Sequence, residues 1–423
     1  MSESVPFDVA IVGGGPVGAC AAALLARGAT GAGRLRVVLL EPNVATPPAA
    51  DAPPDARVVA ISRASERLLR SAGAWPRIAG PRLCAYQHMR VWHESVAARS
   101  AGVLAFDAAD VGEPNLGYIL ESRLLQSALL AAFTDRGGEL RRGQFASLTV
   151  GDEAVTIESS GGTLCARLVV GADGAQSPLR RAAGLAAELS DYRQTAIVAT
   201  VATERPHEMT AWQRFLKDGT LAFLPLFDGT CSIVWSADDS MAEALCAAGP
   251  ADFARALDSA SDLALGATRL VSERASFVLR RLTAPRYVAR RVALIGDAAH
   301  VVHPLAGQGV NLGLLDAGAL AQQLTAAVAA REDPGSLGVL RAYERWRKSE
   351  VALMSTAIDA FDRFLAHGSG PLSRLAQQGL GWVNRSQELR RFFIRRALGM
   401  TGELPEAARR GAPAGQAVRP QGE

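Results

Sequence analysis

The chain opens on Phe7–Val12, apolar apart from Asp8, and runs straight into three glycines. That is the pattern of a buried parallel strand ending in a tight turn. An Ala/Leu-rich helix is predicted over Pro16–Ala26, a glycine-rich turn over Gly28–Gly33, and a second apolar strand over Leu35–Leu40 that ends on Glu41. Residues 42–55 hold five prolines and predict an extended surface loop. Val58–Gly73 returns to a helical pattern. The periodicity then changes: residues 145–170 predict a β-meander turning at Ser159–Gly162. Ala196–Thr203, Thr220–Phe227 and Cys231–Ser236 are strand-length runs, the last two joined at Asp228-Gly229 as a hairpin. Val292–Ile295 is again a short buried strand, and helices follow to about residue 399. From Gly402 the chain is rich in Pro, Gly, Ala and Arg and is expected to be disordered.

Composition narrows the class without naming it. At 423 residues the chain exceeds one typical domain, and 49% hydrophobic with 21% charged residues is ordinary for an enzyme with a sizeable core. A net charge of +3 is too small to argue for nucleic acid, and none is expected as a partner. The five cysteines are odd in number and no two stand at C-x-x-C spacing, which argues against a disulfide framework or a metal site and fits a reducing cytosol. No run of 18 apolar residues escapes interruption by glycine or charge, so no membrane-spanning helix is expected. Val9–Ala26 lacks the basic start of a signal peptide.

The candidate chemistry begins with Gly13-Gly14-Gly15-Pro16-Val17-Gly18, which fits G-x-G-x-x-G. The hexapeptide is weak alone, but here it follows a buried strand and opens a helix. In that setting Gly13 permits the turn, Gly15 lets the backbone approach a pyrophosphate, and Gly18 lets helix and strand pack closely. Pro16 and Val17 open the helix whose free N–H groups would face the phosphates. Glu41, 23 residues after Gly18, stands where a carboxylate accepts both hydroxyls of an adenosine ribose. FAD or NAD is therefore expected, not NADP.

Two later segments decide for FAD. Leu168–Gly174 and Val292–His300 both run from a strand through Gly to Asp, at Asp173 and at Gly296-Asp297. An Asp there can bind a polyol hydroxyl, which the ribitol of FAD offers and NAD lacks; in isolation each would be an ordinary turn residue. Gly307, Gln308, Gly309, Val310 and Asn311 then lead into a helix whose N–H groups could face the anionic edge of a reduced flavin.

These residues resemble a known family, the class A flavoprotein monooxygenases with the para-hydroxybenzoate hydroxylase fold, and within it the ubiquinone-biosynthesis aromatic-ring hydroxylases. His303–Asp316, HPLAGQGVNLGLLD, matches that subfamily's signature almost letter for letter. Arg57–Ser65 is similar to the family segment whose Arg lies along FAD. Asn115–Arg123 is similar to its LGYIVENR-like stretch, with Ser122 where Asn is usual. The similarity runs from about residue 6 to 400. Trp92, Ala196–Thr203 and Leu221–Trp235 resemble the subgroup acting at C5 of a polyprenylphenol.

The resemblance implies an α/β fold: a Rossmann-type, glutathione-reductase-like FAD-binding domain interleaved with an antiparallel β-sheet substrate lobe, plus C-terminal helices. The expected division is FAD-binding at 1–75, 113–185 and 285–365, substrate lobe at 76–112 and 186–284, C-terminal helices at 366–401 and a disordered tail at 402–423. It implies non-covalent FAD, NADH or NADPH as a transient co-substrate, and O2 captured as a flavin C4a-hydroperoxide that hydroxylates the ring. Arg57 and Arg123 join the expected cofactor residues. Phe223, Pro225 and Trp235 are the candidate pocket residues. His300 and His303 flank the flavin loop and one of them is the candidate proton relay, with His303 positioning Pro304 as the structural alternative.

Other readings stay open. Another flavin oxidoreductase of the same fold is one, although a halogenase would want a Trp-rich insertion and a pocket lysine. A non-catalytic FAD-binding component of a biosynthetic complex is the other, and a complex or homo-oligomer is open under either. Residues 371–400 combine leucines and aromatics with six arginines, so peripheral contact with the inner face of the membrane is expected, with packing on protein as the alternative.

Overall fold

The structure is a computed structural model that describes residues 7–26, 35–302, 308–365, 388, 391 and 402–411. His303, Pro304 and Gly307 lie outside the described residues, as does most of the segment 371–400.

The strand Phe7–Val12 forms as expected and lies between two parallel neighbours, Val37–Leu40 and Leu164–Gly171. Val292–Leu294 adds beyond Leu164–Gly171, and Glu139–Arg141 beyond Val37–Leu40. All four residues of Val37–Leu40 are buried because helices cover both faces of such a sheet. Pro16–Leu25 packs between the helices Ser122–Asp135 and Gln308–Ala329. The meander also forms, with Phe145–Val150 and Val155–Ser159 hairpinned onto Leu164–Gly171.

The second sheet is the lobe. Its strands run in the order His300–Val301, Ala275–Thr283, Glu188–Thr203, Cys231–Asp238, Gly219–Pro225, Thr210–Leu216, His88–His93 and Leu104–Asp107. Pairing is antiparallel except between Thr210–Leu216 and His88–His93, which run parallel, as the long connection between them permits. The helices Asp239–Ala247 and Pro250–Ser261 cover one face, burying Phe253 and Leu257. The other face looks toward the nucleotide-binding sheet. Trp92 is fully buried and meets Trp212 edge-on at 6.0 Å between centroids.

Two local expectations are corrected. Val58–Gly73 is not one helix: Val58–Ile61 is a strand paired with Gly117–Glu121, which also pairs Cys84–Tyr86, and the helix starts at Arg63. β-Branched Val58, Val59 and Ile61 suit the strand, and Ser62 caps the helix by accepting from Ser65 N–H. The expected disorder from residue 402 is also wrong for 402–411. Ala408 is fully buried in the main core, Trp346 Nε1 donates to Glu403 O at 2.9 Å, and Glu406 N donates to Gln322 Oε1 at 2.9 Å. A few buried apolar contacts outweigh the composition of this stretch.

Helix Gln308–Ala329 is long and apolar enough to span a bilayer by length and composition. Here Leu314, Ala317, Leu320 and Leu324 are fully buried against the sheet domain, so its apolar surface is core. The five thiols are unpaired; burial pushes Cys20 and Cys231 up to about 12, which leaves them as small apolar fillers.

Candidate active site

A cleft of about 820 Å³ runs from the first glycine turn to the inner face of the lobe. At its nucleotide end the three glycines act for three different reasons. Gly13 has φ +101°, and a Cβ there would stand 2.4 Å from Ala172 O. A Cβ on Gly18 would stand 2.0 Å from Gly13 O, so it fixes helix against turn. Gly15 has an ordinary φ of −59° and nothing within 4 Å of a Cβ. Its missing side chain leaves room on the cleft side, at a helix start with no side-chain cap, which fits a diphosphate.

Glu41 is fixed beside it: Gly14 N donates to Oε2 at 2.5 Å and Asn43 N to Oε1 at 2.8 Å. Each oxygen keeps capacity for a further donor, as a ribose requires. Pro16, Val17 and Arg57 line the same cleft. Sequence reasoning missed Ser122 and Gln126, which also line it; Gln126 Nε2 donates to Gly14 O at 2.8 Å. Their signal is a pair at i and i+4 on a helix that starts directly after a strand.

Arg123 is not brought to the cleft. It pairs with Asp55 at 3.0 Å on the surface, beside a loop that buried Arg82 holds through Ala52 O, Pro53 O and Glu121. Asn311 does not line the cleft either: it accepts from Ser62 N at 2.9 Å and donates to Ala60 O at 2.8 Å, tying helix to strand. Gly309 and Val310 do line it, whereas the side chain of Gln308 lies outside the described residues.

Asp173 and Asp297 both reach the cleft but differ in what they are free to do. Asp173 accepts from Ser177 Oγ at 2.5 Å and from Leu179 N at 3.0 Å, capping the short helix Pro178–Ala182. Asp297 follows Gly296, whose φ is +58°, and stands open to the cleft while protein crowds round it. That confinement raises its carboxyl above the usual range, opposed by His300 and Arg57 and reinforced by Asp316. Asp297→Ala is expected to weaken FAD binding by roughly 1.5–3 kcal/mol, the worth of one charge-assisted hydrogen bond, with little loss of fold. Fluorescence titration of apoprotein with FAD checks this, and an unchanged affinity would remove Asp297 from the site.

Beneath that turn lies a network the sequence did not disclose. Asp316, with no exposed surface, accepts from Gly296 N at 3.0 Å, His300 Nε2 at 2.6 Å and Arg347 Nε at 2.7 Å. Burial pushes its carboxyl up, but His300 and Arg347 win and hold it below the ordinary range.

The lobe end of the cleft corrects the candidate pocket. Phe223, Pro225 and Trp235 do not line it; Ala222, Leu224, Val234 and Ser236 do. Phe223 and Trp235 point the other way, into the core under the two helices, with Trp235 and Phe253 centroids 6.2 Å apart. Successive strand residues alternate faces, so Phe223 and Trp235 fall on the core face of the same strands whose other face lines the cleft.

Comparison with known proteins agrees with this architecture. The FAD binding domain family profile matches residues 6–356. The 3-demethoxyubiquinol 3-hydroxylase of Escherichia coli is 35% identical over 398 residues, 93% of this chain and 99% of that protein. Ubiquinone hydroxylase UbiL of Rhodospirillum rubrum is 36% identical over 412 residues, 96% of this chain and 93% of its own. The crystal structure of p-nitrophenol 4-monooxygenase from Pseudomonas putida superposes with a TM-score of 0.73 at 21% identity, covering 93% of this chain and 98% of that one, a likeness of fold. The chain therefore belongs to the FAD binding domain family, as an FAD-dependent aromatic-ring hydroxylase of the class A flavoprotein kind.

Proposed function

We propose that the protein hydroxylates the aromatic ring of a polyprenylphenol precursor of ubiquinone, at C5, with NAD(P)H as electron donor and O2 as oxidant. The observation that carries the reading is continuity: one cleft joins the nucleotide-binding turns to a wall of Ala222, Leu224, Val234 and Met89. Bound FAD would supply the oxygen-transferring chemistry. The chain's own work is to bind and orient. Glu41, the Gly15 helix start and Asp297 hold the dinucleotide, and the apolar wall excludes water from the ring. The names of the two relatives support a ubiquinone precursor, and the resemblance of Trp92 and Leu221–Trp235 supports C5.

The test is NAD(P)H oxidation by the yellow, FAD-loaded protein, with the product identified. Stimulation by polyprenylphenols and a new ring hydroxyl at C5 is the expected result. Stimulation by small hydrophilic phenols alone would reject the lipid substrate, and oxidation that no phenol stimulates would favour a non-catalytic component.

The same reading places the protein in the cytoplasm against the inner membrane face, since each buried CH2 of a polyprenyl tail favours the bilayer by about 0.8 kcal/mol. Residues 371–400, with Trp382, Phe392 and Phe393 among six arginines, suit an anionic surface. Full-length protein is expected to float with anionic vesicles, and a full-length variant with Trp382, Phe392 and Phe393 changed to serine to stay behind. Equal flotation of the two would remove this segment as the anchor.

A further inference from the structure

The polar groups on the substrate wall of the cleft include a pair that satisfy each other and others without a partner among the described residues, Trp212 Nε1 being one of the latter. Thr220 and Ser236 satisfy each other, hydroxyl to hydroxyl at 2.8 Å, with Thr220 N donating to Ser236 Oγ at 3.0 Å. Gln213 and Tyr86 line the same wall, and their side chains have no hydrogen-bond partner among the described residues. Gln213 is only 6% exposed, and its amide keeps the little open surface it has, where a ligand in the cleft can reach it. It projects from Thr210–Leu216 between Val91 on one neighbouring strand and Ala222 on the other.

Tyr86 ends the strand Cys84–Tyr86 and packs against two small buried clusters, one with Ala60 and Ile119, the other with Ala108 and Leu116. Gly117 is the reason it fits: a Cβ there would stand 3.0 Å from the Tyr86 hydroxyl. Burial pushes that phenol up to about 12, so at neutral pH it is an uncharged donor. Among the described residues, the charged ones of the cleft lining, Glu41, Arg57, Asp173 and Asp297, all belong to the nucleotide half. The wall around Gln213 and Tyr86 is therefore built for a neutral ligand with oxygen on an otherwise apolar body.

We infer that Gln213 and Tyr86 are the specificity-determining groups for the substrate's aromatic head, Gln213 accepting a ring hydroxyl and Tyr86 donating to a ring oxygen. The inference rests on the proposed phenol hydroxylation and names how that site selects a neutral phenol. Discrimination follows from what an unsuitable ligand does: a ring lacking the oxygen leaves both groups desolvated and unpaired.

The experiment is equilibrium binding to the FAD-loaded protein, read from the flavin absorbance. The probes are a short-chain prenylphenol and the same molecule with its ring hydroxyl replaced by hydrogen. Wild type is expected to prefer the phenol by about 10-fold or more. Gln213→Leu should cut that preference to about 3-fold or less and Tyr86→Phe should reduce it several-fold. FAD content should stay as in wild type in both, and affinity for the deoxygenated probe should hold or rise, because the group that ring left unpaired is gone. A preference that survives both substitutions, or none in wild type, overturns the assignment. Should Gln213→Leu fail to fold, Tyr86→Phe decides alone, since it removes a single oxygen. Long-chain turnover is read separately, so a protein that binds the short phenol selectively but oxidises no polyprenyl homologue counts against the lipid substrate and not against these two residues.

Discussion

Gly15→Val is expected to yield a folded, colourless protein. Gly15 sits at an extended backbone position that any residue adopts, and nothing lies within 4 Å of the Cβ it lacks. The change therefore costs the apoprotein little, within about 0.5 kcal/mol. In the bound state the new branches would stand between the backbone and the pyrophosphate. Losing two charge-assisted hydrogen bonds there removes about 3–6 kcal/mol, which is at least about 100-fold in affinity. Gly18→Ala should behave in the opposite sense. Its Cβ would meet Gly13 O at 2.0 Å, a backbone contact with no room to give, so the apoprotein itself loses about 1–3 kcal/mol. Thermal unfolding of the two apoproteins, set beside FAD titration, separates them. A yellow Gly15→Val protein with wild-type FAD affinity would reject the pyrophosphate site.

What the sequence disclosed and what it hid divide along physical lines. Local grammar was legible: a buried strand, a glycine turn and a helix put Gly13, Gly15 and Gly18 in their places, because each answers to backbone geometry within a few residues. The strand–Gly–Asp repeats reached the cleft for the same reason. Facing was not legible. Ala222 and Phe223 lie on opposite sides of one strand, and only the helices Asp239–Ala247 and Pro250–Ser261, packed from behind, make Phe223 the core residue. Partnerships across long separations were hidden as well. Arg123 is drawn off by Asp55, 68 residues earlier, and Asn311 by the backbone at Ala60 and Ser62. Val58–Ile61 reads locally as part of a helix because its strand partner, Gly117–Glu121, lies beyond any local window.

Asp316 is the sharpest case of a hidden partnership, and its replacement carries the second large effect. In Asp316→Ala, His300 and Arg347 lose the carboxylate that each meets within 2.7 Å, and Gly296 N–H loses its acceptor. Removing one member of a buried ion pair costs about 3–5 kcal/mol, since the remaining charge stays desolvated. That is a large share of the roughly 5–15 kcal/mol that holds a typical domain together. Asp316→Asn keeps the shape but turns an N–H toward neighbours that are themselves donors, so it should recover part of the loss at most.

The pH dependence has a definite sign. The folded carboxyl is held below its ordinary value, so the unfolded chain takes up the proton first as pH falls. The stabilisation is complete above the ordinary carboxylate range, near about 4, and drains away as pH drops toward the folded value. Urea unfolding of wild type and Asp316→Ala should thus differ clearly at pH 7 and converge as pH falls below about 4. A difference under about 1 kcal/mol at pH 7, or one that does not narrow below about pH 4, would show that the carboxylate does not anchor the network. Because the network grips the Gly296 turn from below, weakened FAD retention should accompany the loss, read as a faster release of flavin fluorescence on dilution.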